Sequence, residues 1–289
     1  MAKKSPMKKK TKKRYPTQNS ATVQLANPGL NGIIKADRFL TKLNKRLYRQ
    51  SRYYTCKVDI DLSGPVPGGP IQVFALRDTW GNQKAYQMAY DIFMESTKAE
   101  RARIGEGAVA RWQDFRCQDG TGYPVLDPAV YDEGQALARL TLGEALDSRV
   151  EDISGNTMVF TWGSGVAGTS YGIRSEYDQK ANSSESPETN SENVPYDGQQ
   201  ENISTVEVDQ LRNRGNDAPY DADSFGDAWV KVATLSRTAG QQRLSTGFFT
   251  APCGFVVVTG LDPQSAQPLQ FTVKEGDYKG AHADSMLEV

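Results

Sequence analysis

The sequence predicts an all-β protein, a sandwich or barrel of short antiparallel strands, preceded by a basic arm and interrupted by one long helix. Two observations predict the strands. Many short apolar runs are separated by Gly, Pro, Asn and Ser clusters, a spacing typical of sandwiches and barrels. One of these runs alternates with period two, as a half-buried strand does. A third observation, the concentration of basic residues ahead of the runs, predicts the arm.

The basic arm is predicted to be disordered. Its first 14 positions hold eight cations, and residues 1–20 contain two prolines and almost no apolar side chain. Such a segment cannot offset its ordering entropy by burial. We expect the disordered basic arm to cover residues 1–34 and the folded shell of strands to cover 53–289.

A basic amphipathic segment, residues 35–52, lies between the arm and the strands. Phe39, Leu43 and Leu47 recur at helical spacing, with cations between them. A short helix and an extended arm both fit this pattern, and the helix is the preferred interpretation.

The net charge of −1 conceals a division of charge along the chain. From Met1 to Arg52 there are 15 Lys and Arg and one acid, Asp37, whereas the remainder carries 19 basic and 34 acidic residues. This asymmetry indicates a basic tail for a polyanion, whose phosphates it would bind without sequence preference and in a salt-dependent way. A solubilising tail and a nuclear localisation signal are the alternatives. The expected nucleic-acid-binding residues are Lys3, Lys4, Lys8, Lys9, Lys10, Lys12, Lys13, Arg14, Arg38, Lys42, Lys45, Arg46, Arg49 and Arg52. Four tyrosines interleave with these cations and are candidates for stacking on bases, namely Tyr15, Tyr48, Tyr53 and Tyr54.

The clearest strand is predicted at 53–62, where Tyr54, Cys56, Val58 and Ile60 face one way and polar residues face the other. The next strand is predicted at 71–77, after a Gly- and Pro-rich break. Further strands are predicted at 109–116, 157–162, 203–208, 228–235, 246–250, 254–260 and 269–273.

One long helix is predicted at about 82–104. Asn82 fits the N-cap, an apolar face including Tyr86 and Phe93 repeats at helical spacing, and Gly105 ends the pattern. A short helix is expected within 129–147. A long polar loop without periodicity is expected at about 178–226.

The sequence gives little support to catalysis or to cofactor binding. The single histidine, His282, lies in the C-terminal tail, and no nucleophile elbow, P-loop or HExxH motif is present. We therefore expect no catalytic residue and no enzymatic activity. Gly163–Gly168 match a dinucleotide fingerprint in spacing, but no helix is expected to open after them, so we expect no cofactor.

Metal and membrane binding are not expected either. The three cysteines lack the spacing of a zinc site. The acidic segment Asp217–Asp227 lacks the ligand pattern of an EF-hand, and we interpret it as a solvated loop. No apolar run is long enough to span a bilayer, and no apolar stretch follows the lysine run as in a signal peptide.

Two stretches of sequence carry a family resemblance. NKRLYRQSRYYTCKVDIDL and IQVFALRDTWGNQKAYQMAYDIFMESTKAERARIGEGAVARWQDFR resemble the coat proteins of circular, Rep-encoding single-stranded DNA viruses. The similarity covers roughly residues 1–120 and the GFVVVTG segment. The arm is richer in lysine than those of many relatives, and the long helix must lie in a connection between strands.

The resemblance implies a jelly-roll sandwich of eight main antiparallel strands that assembles into an icosahedral shell, for which T=1 is one candidate arrangement. It also implies that the interior arm holds a circular single-stranded DNA genome and engages the host nuclear import machinery. The expected locations are the virion and, during assembly, the host nucleus. Two other functions fit the residues: the coat protein of an RNA virus, and a cellular nucleic-acid-binding β-barrel module with a basic tail.

Deletion of residues 1–20 is expected to leave the body folded and to abolish nucleic-acid packaging, because charge and core pattern lie in separate segments. The measurement is the nucleic-acid content of the purified protein, from its absorbance at 260 and 280 nm. An unchanged content in the truncated protein would show that the arm does not package nucleic acid.

Overall fold

The computed structural model describes residues 17–24, 31–61, 70–104, 114–130, 138–139, 146–152, 154–182, 228–236, 243–261 and 269–288. Within these residues the protein consists mainly of β-strands in antiparallel sheets, with few helices, as the sequence predicts.

The described residues form 17 strands and four helices. The strands are β1 (Ser20–Gln24), β2 (Gly32–Lys35), β3 (Arg52–Asp61), β4 (Ile71–Leu76), β5 (Asp127–Val130), β6 (Ala138–Arg139), β7 (Arg149–Glu151), β8 (Thr157–Thr161), β9 (Ser170–Gly172), β10 (Trp229–Leu235), β11 (Arg243–Ser245), β12 (Phe249–Pro252), β13 (Phe255–Thr259), β14 (Leu269–Val273), β15 (Glu275–Gly276), β16 (Gly280–Ala281) and β17 (Ala283–Ser285). The helices are α1 (Ala36–Asn44), α2 (Trp80–Ser96), α3 (Lys98–Ile104) and α4 (Ile173–Asn182).

Two sheets form the body. Sheet A has eight strands, with the order β11-β3-β14-β1-β5-β6 and with β12 and β17 also paired to β3. Sheet B has four strands, in the order β10-β4-β13-β2. Every pairing in these two sheets is antiparallel. The insertion, which we define as the chain between β4 and β10, adds a further small sheet of β7, β8 and β9.

The period-two pattern of β3 is confirmed. Tyr54, Cys56, Val58 and Ile60 are fully buried between the sheets. On the opposite face Asp59 is also shielded, because Lys57 and Arg243 bind its carboxylate at 2.7 and 2.9 Å.

The first hydrophobic core lies between sheets A and B. Sheet B contributes Ile34, Val256 and Val258, and sheet A contributes Phe271, all with no exposed surface. Helix α1 closes one side of this core, since the rings of Phe39 and Phe271 meet edge to face at 4.9 Å. The helical interpretation is therefore confirmed for residues 36–44.

A second hydrophobic core lies on the other face of sheet B, under the insertion. Ile33, Phe255 and Val257 of sheet B pack in the same cluster as Tyr86 and Phe93 of α2. Sheet B is thus buried on both faces at β2 and β13, and the insertion is a third layer over them.

The predicted extent of the arm is wrong in its second half. Residues 20–24 and 32–34 were expected to be disordered but lie in β1 and β2, and Ile33 and Ile34 are fully buried. The segment GIIK shows no alternation because both of its faces are covered, so the sequence offered no period-two signal. Residues 1–16 lie outside the described part of the chain. Deletion of residues 1–20 would also remove contacts that Thr17, Asn19 and Ser20 make with the body, so the truncation that tests the arm ends at residue 16.

The long helix begins two residues earlier than predicted, at Trp80, and is divided into two helices. Thr79, not Asn82, is the N-cap: its hydroxyl accepts the Asn82 N–H at 3.3 Å. The helix is split into α2 and α3 at Thr97, whose N–H still donates to Phe93 C=O. The predicted end at Gly105 lies outside the described residues.

Other element predictions have mixed outcomes. The strands at 71–77, 157–162, 228–235, 254–260 and 269–273 are confirmed within a residue or two, and that at 246–250 begins only at Phe249. The described part of 109–116 is not a strand, and the described part of 129–147 contains strand residues instead of a helix.

The structure also bears on the predictions for the polar loop, the glycine segment and the C-terminal tail. Three predicted features lie outside the described residues: the strand at 203–208, the acidic segment 217–227 and the polar loop from residue 183 onward. The start of that loop is helical, because it belongs to α4. A helix does follow the glycine segment, but only after β9. The C-terminal tail is not loose, since β17 pairs with β3.

Replacing Ile34 by Ala is expected to lower the free energy of unfolding by about 2–5 kcal/mol, because the substitution leaves a cavity in the first core. The control is Val166→Ala, at a side chain that is 58% exposed; it is expected to change the free energy by less than about 0.5 kcal/mol. Urea denaturation measures both. Equal, small effects would contradict the placement of β2 in the core.

Candidate nucleic-acid interface

Cations from two distant parts of the chain meet at one end of the sandwich. The first part is the loop after α1, which begins at Lys45 in the left-handed conformation (φ 53°) and leads into β3. The second is the turn between β15 and β16. We call the group formed by their basic and aromatic side chains the loop cluster. Its members are Lys45, Arg46, Arg49, Arg52, Lys279, Tyr48 and Tyr278.

Two tyrosines hold the loop cluster in place. Tyr48 is fully buried, its hydroxyl donates to Lys279 C=O at 2.9 Å, and its ring meets that of Tyr278 edge to face at 5.9 Å. The Arg52 guanidinium lies over the Tyr278 ring, 3.7 Å from its centre. Such cation–π contacts orient cations without neutralising them. The Lys279 ammonium also donates to Leu47 C=O, which joins the turn to the loop.

Like charges crowd the loop cluster. Partial burial lowers the pKa of Lys279, and the nearby cations Arg49, Arg52 and Arg46 lower it further, while Asp114 opposes them. Neighbouring positive charges lower an ammonium pKa because they disfavour its charged form. Arg49 and Lys279 are both exposed at this surface. A phosphate group bound here would relieve the repulsion.

The basic arm joins the body beside the loop cluster. The Thr17 hydroxyl donates to Lys279 C=O at 3.4 Å, and the Asn19 amide donates to Gly280 C=O at 2.8 Å. Gly280 has φ +94°, and a Cβ there would lie 2.4 Å from Thr17 Oγ1, so this contact requires glycine. Arg14, the nearest of the arm cations, is three residues before Thr17, and three residues of chain span at most about 11 Å. The lysine-rich start of the chain is therefore connected to the body beside the loop cluster.

Only some of the predicted binding residues contribute to this surface. Arg38 pairs with Asp147 at 2.8 Å, and buried Lys42 forms an ion pair with Asp127. Both cations therefore form ion pairs within the fold and do not contribute to this surface. Lys45, Arg46, Arg49 and Arg52 belong to the loop cluster, and the eight arm cations lie outside the described residues.

The tyrosines proposed for base stacking are mostly inaccessible. Tyr48 and Tyr54 are fully buried, and Tyr53 packs against the second core; Tyr15 lies outside the described residues. Sequence reasoning missed Lys279 and Tyr278, because their proximity to the loop arises only from the pairing of distant strands.

The Asp114 carboxylate binds the loop that carries the cations of the loop cluster. Asp114 Oδ2 accepts the Gln50 N–H at 3.0 Å, while the Gln50 side chain exchanges hydrogen bonds with the backbone of Cys117 at 2.7 and 3.2 Å. The Tyr54 hydroxyl donates to Arg49 C=O at 2.6 Å. These bonds fix the backbone that carries the cations.

Two acids beneath the loop have raised pKa values. Burial raises the pKa of Asp114 to about 6, and the charge of Asp37 adds to the shift. Burial also raises the pKa of Asp37, against the opposing effect of Arg38 and Arg116. Neither carboxylate oxygen of Asp37 has a hydrogen-bond partner among the described residues.

Other chemistry is sparse in the described ranges. They hold no group of three or more His, Cys, Asp or Glu side chains arranged to bind a metal ion. His282 Nδ1 lies 3.2 Å from the Thr55 hydroxyl, and the three cysteines are buried thiols. No described helix combines the length and apolar character needed to cross a membrane.

Comparison of the chain with protein-family models, with curated proteins and with solved structures finds no match. The functional interpretation therefore depends on the residues and on their geometry.

Replacing Asp114 by Asn is expected to stabilise the protein above about pH 6. The folded-state pKa of Asp114, about 6, exceeds its ordinary value of 3.8, so its contribution to stability is complete below pH 4 and is lost as the pH rises to 6. The variant should gain about 1–3 kcal/mol at pH 7.5 and little at pH 4.5.

Thermal unfolding between pH 4.5 and 8 measures this effect. Asp59 and Asp119, whose pKa values are lowered by hydrogen bonds and cations, titrate below this range. A variant that is less stable than the parent at pH 7.5 would contradict the prediction.

Proposed function

We propose that the protein is a viral coat protein that assembles into an icosahedral shell and packages a circular single-stranded DNA genome. The observation that carries the proposal is the junction of a lysine-rich arm to the end of a β-sandwich, beside the exposed cations of the loop cluster. In this function the protein is structural and not an enzyme.

The finer fold that we propose is a jelly roll. Its eight strands are β1, β2, β3, β4, β10, β11 with β12, β13 and β14, taken in chain order. The first pairs with the eighth, the second with the seventh, the third with the sixth and the fourth with the fifth. A long hairpin rolled onto itself has these pairings and adds contacts between the third and eighth strands and between the fourth and seventh, as found here. Viral shells are among the known uses of this architecture.

The fold alone does not specify a function, so the charge distribution carries the rest. Arm cations would release counterions from a polyanion, giving strong, salt-dependent binding without sequence preference. Many arms inside one shell would act on the same genome, so that assembly and packaging reinforce each other. The acidic remainder of the chain, with 34 acids against 19 bases, suits a soluble exterior.

The arm has a second proposed role. A cluster of lysines with an arginine is the kind of segment that the nuclear import machinery binds. We therefore propose that the protein enters the host nucleus for assembly and is found afterwards in the virion.

Two other functions lead to different observations. The coat protein of an RNA virus would form the same shell, and digestion of the packaged material by RNase instead of DNase would identify it. A cellular nucleic-acid-binding module would stay a small oligomer. Closed particles of uniform size in negative-stain electron microscopy of the purified protein support a coat protein, whereas small oligomers at every salt and nucleic-acid concentration contradict it.

The double variant Arg49→Gln, Lys279→Gln is expected to weaken binding of a single-stranded oligothymidylate and to reduce the slope of log affinity against log salt by about 0.7 for each phosphate that is no longer neutralised. The matched control is Lys98→Gln, Arg103→Gln, which removes two exposed cations from α3. Fluorescence anisotropy from 50 to 300 mM NaCl measures both. An equal weakening in the two variants would show that only net charge matters, and would exclude the loop cluster as the interface.

A further inference from the structure

The insertion carries an apolar groove between α2, α4 and its small sheet. Met88 and Ile92 of α2 line one side, and Phe160 of β8 and Ile173 of α4 line the other, around a cavity of about 340 Å³. A second cavity continues along α2 and shares Met88 and Ile92 with the first. We call the two cavities together the insertion groove. Ile92 is 43% exposed, and contiguous exposed apolar surface of this kind marks a site of interaction.

Exposed carboxylates surround the insertion groove. The acids that line it are Asp91, Glu95, Glu151 and Glu176. All four are exposed, and none forms an ion pair with another residue in the described part of the chain. Among the described residues that line the groove, Lys84 is the only base. The groove therefore suits a segment that carries an apolar side chain between several cations.

The charge of the remaining chain selects the occupant. Residues 1–16, the arm, carry eight bases and no acid, whereas residues 183–227, which follow α4 in the sequence, carry 11 acids and two bases. No other segment outside the described residues has a net charge above +1. Carboxylates attract the arm and repel the acidic segment, so charge complementarity favours the arm.

The arm also has the required pattern of side chains. Met7 is the one large apolar side chain between Lys3 and Arg14, and lysines flank it on both sides. An unbranched thioether adapts to an irregular apolar cavity. Trp80, which is 66% exposed, meets Tyr177 of the groove edge to face at 6.4 Å. Its ring offers a lysine ammonium a cation–π contact.

The insertion groove lies within reach of the arm of the same chain. The Gln87 side chain, which lines the groove, donates to Met286 C=O at 3.0 Å, and the Met286 N–H donates to Ser51 C=O at 3.1 Å. Ser51 belongs to the loop of the loop cluster, beside which the arm joins the body at Thr17. The ten residues from Thr17 back to Met7 span at most about 35 Å. Repulsion by the loop cluster and attraction by the groove act on the arm in the same direction.

We propose that the arm, residues 1–16, docks in the insertion groove of its own chain, with Met7 in the apolar cavity and lysines on the carboxylates, and leaves the groove when a nucleic acid binds. The displacement rests on the proposed function, because the phosphates of a long polyanion outnumber four carboxylates. The groove then covers the arm until the chain meets its genome.

The test is photo-cross-linking of the full-length protein with p-benzoylphenylalanine in place of Met7, at low salt and without nucleic acid. We expect adducts, mapped by mass spectrometry, within residues 85–98 or 150–180, which line the groove. In a mixture of unlabelled and ¹⁵N-labelled protein, the adducts should join peptides of the same isotope only. Adducts elsewhere in the body, or adducts that join the two isotopes, would overturn the inference.

A matched pair of variants tests the carboxylates. Asp91→Asn, Glu176→Gln neutralises two acids of the groove, and the control Glu100→Gln, Asp284→Asn neutralises two exposed acids outside it. Each exposed ion pair changes an equilibrium constant by a factor of about two to five. We expect about fivefold fewer adducts in the groove variant and a change of less than about twofold in the control. An equal loss in both would show that net charge alone holds the arm, and would overturn the inference.

Addition of a 20-nucleotide oligothymidylate to the cross-linkable protein tests the displacement. Once fluorescence anisotropy shows saturation, the adducts should fall about fivefold or more. Undiminished adducts in the saturated protein would overturn the inference, and so would normal oligothymidylate binding by a protein that forms no groove adduct; neither result contradicts a coat protein. Groove adducts in a protein that binds no oligothymidylate at low salt would instead overturn the proposed function, while the docking of the arm would stand.

Discussion

Sheet B is buried on both faces at β2 and β13, and this burial is the constraint on which the rest of the structure depends. Its strands β2 and β13 are runs of consecutive buried residues, GIIK and FVVV, with no polar face to turn to water. One face packs against sheet A and forms the first core. The other face would expose Phe255 and Val257, so the insertion must cover it, and α2 does so with Tyr86 and Phe93. The insertion is therefore required to keep this face of sheet B buried.

The same three layers, sheet A, sheet B and the insertion, also determine where basic side chains can lie. The two cores occupy the space between the layers, and the basic side chains of the loop cluster lie outside both cores. At one end, the loop before β3 meets the turn between β15 and β16, and the arm joins the body there through Thr17. Tyr48 and Tyr278 fill the space between these segments, and the cations line the outside. The proposed genome-binding surface thus results from strand pairing, together with an arm whose composition needs no fold.

How much the sequence predicts depends on the neighbours of each segment. The alternation in β3 predicted which of its side chains are buried, because one face meets a core and the other meets polar side chains. Strand β2 was not predicted because both of its faces are covered. Its four residues therefore show no alternation of apolar and polar side chains, and they lie next to a basic segment. Arg49 and Arg52 were predicted as binding residues from local charge. Lys279 was not, because it is 230 residues from Arg49 along the chain and is brought close by β14 to β17. Charge density also predicted Lys42 as a binding residue, but burial directs it to Asp127.

The most direct test of the proposed interface is photo-cross-linking of the protein to single-stranded DNA that contains 4-thiothymidine, followed by mass spectrometry of the cross-linked peptides. We predict adducts in two places: the arm, residues 1–16, and the loop cluster, within residues 45–52 and 278–279. Adducts confined to the insertion or to the outer face of sheet A would contradict this, since nucleic acid would then bind away from the arm and from the cations that surround its junction with the body.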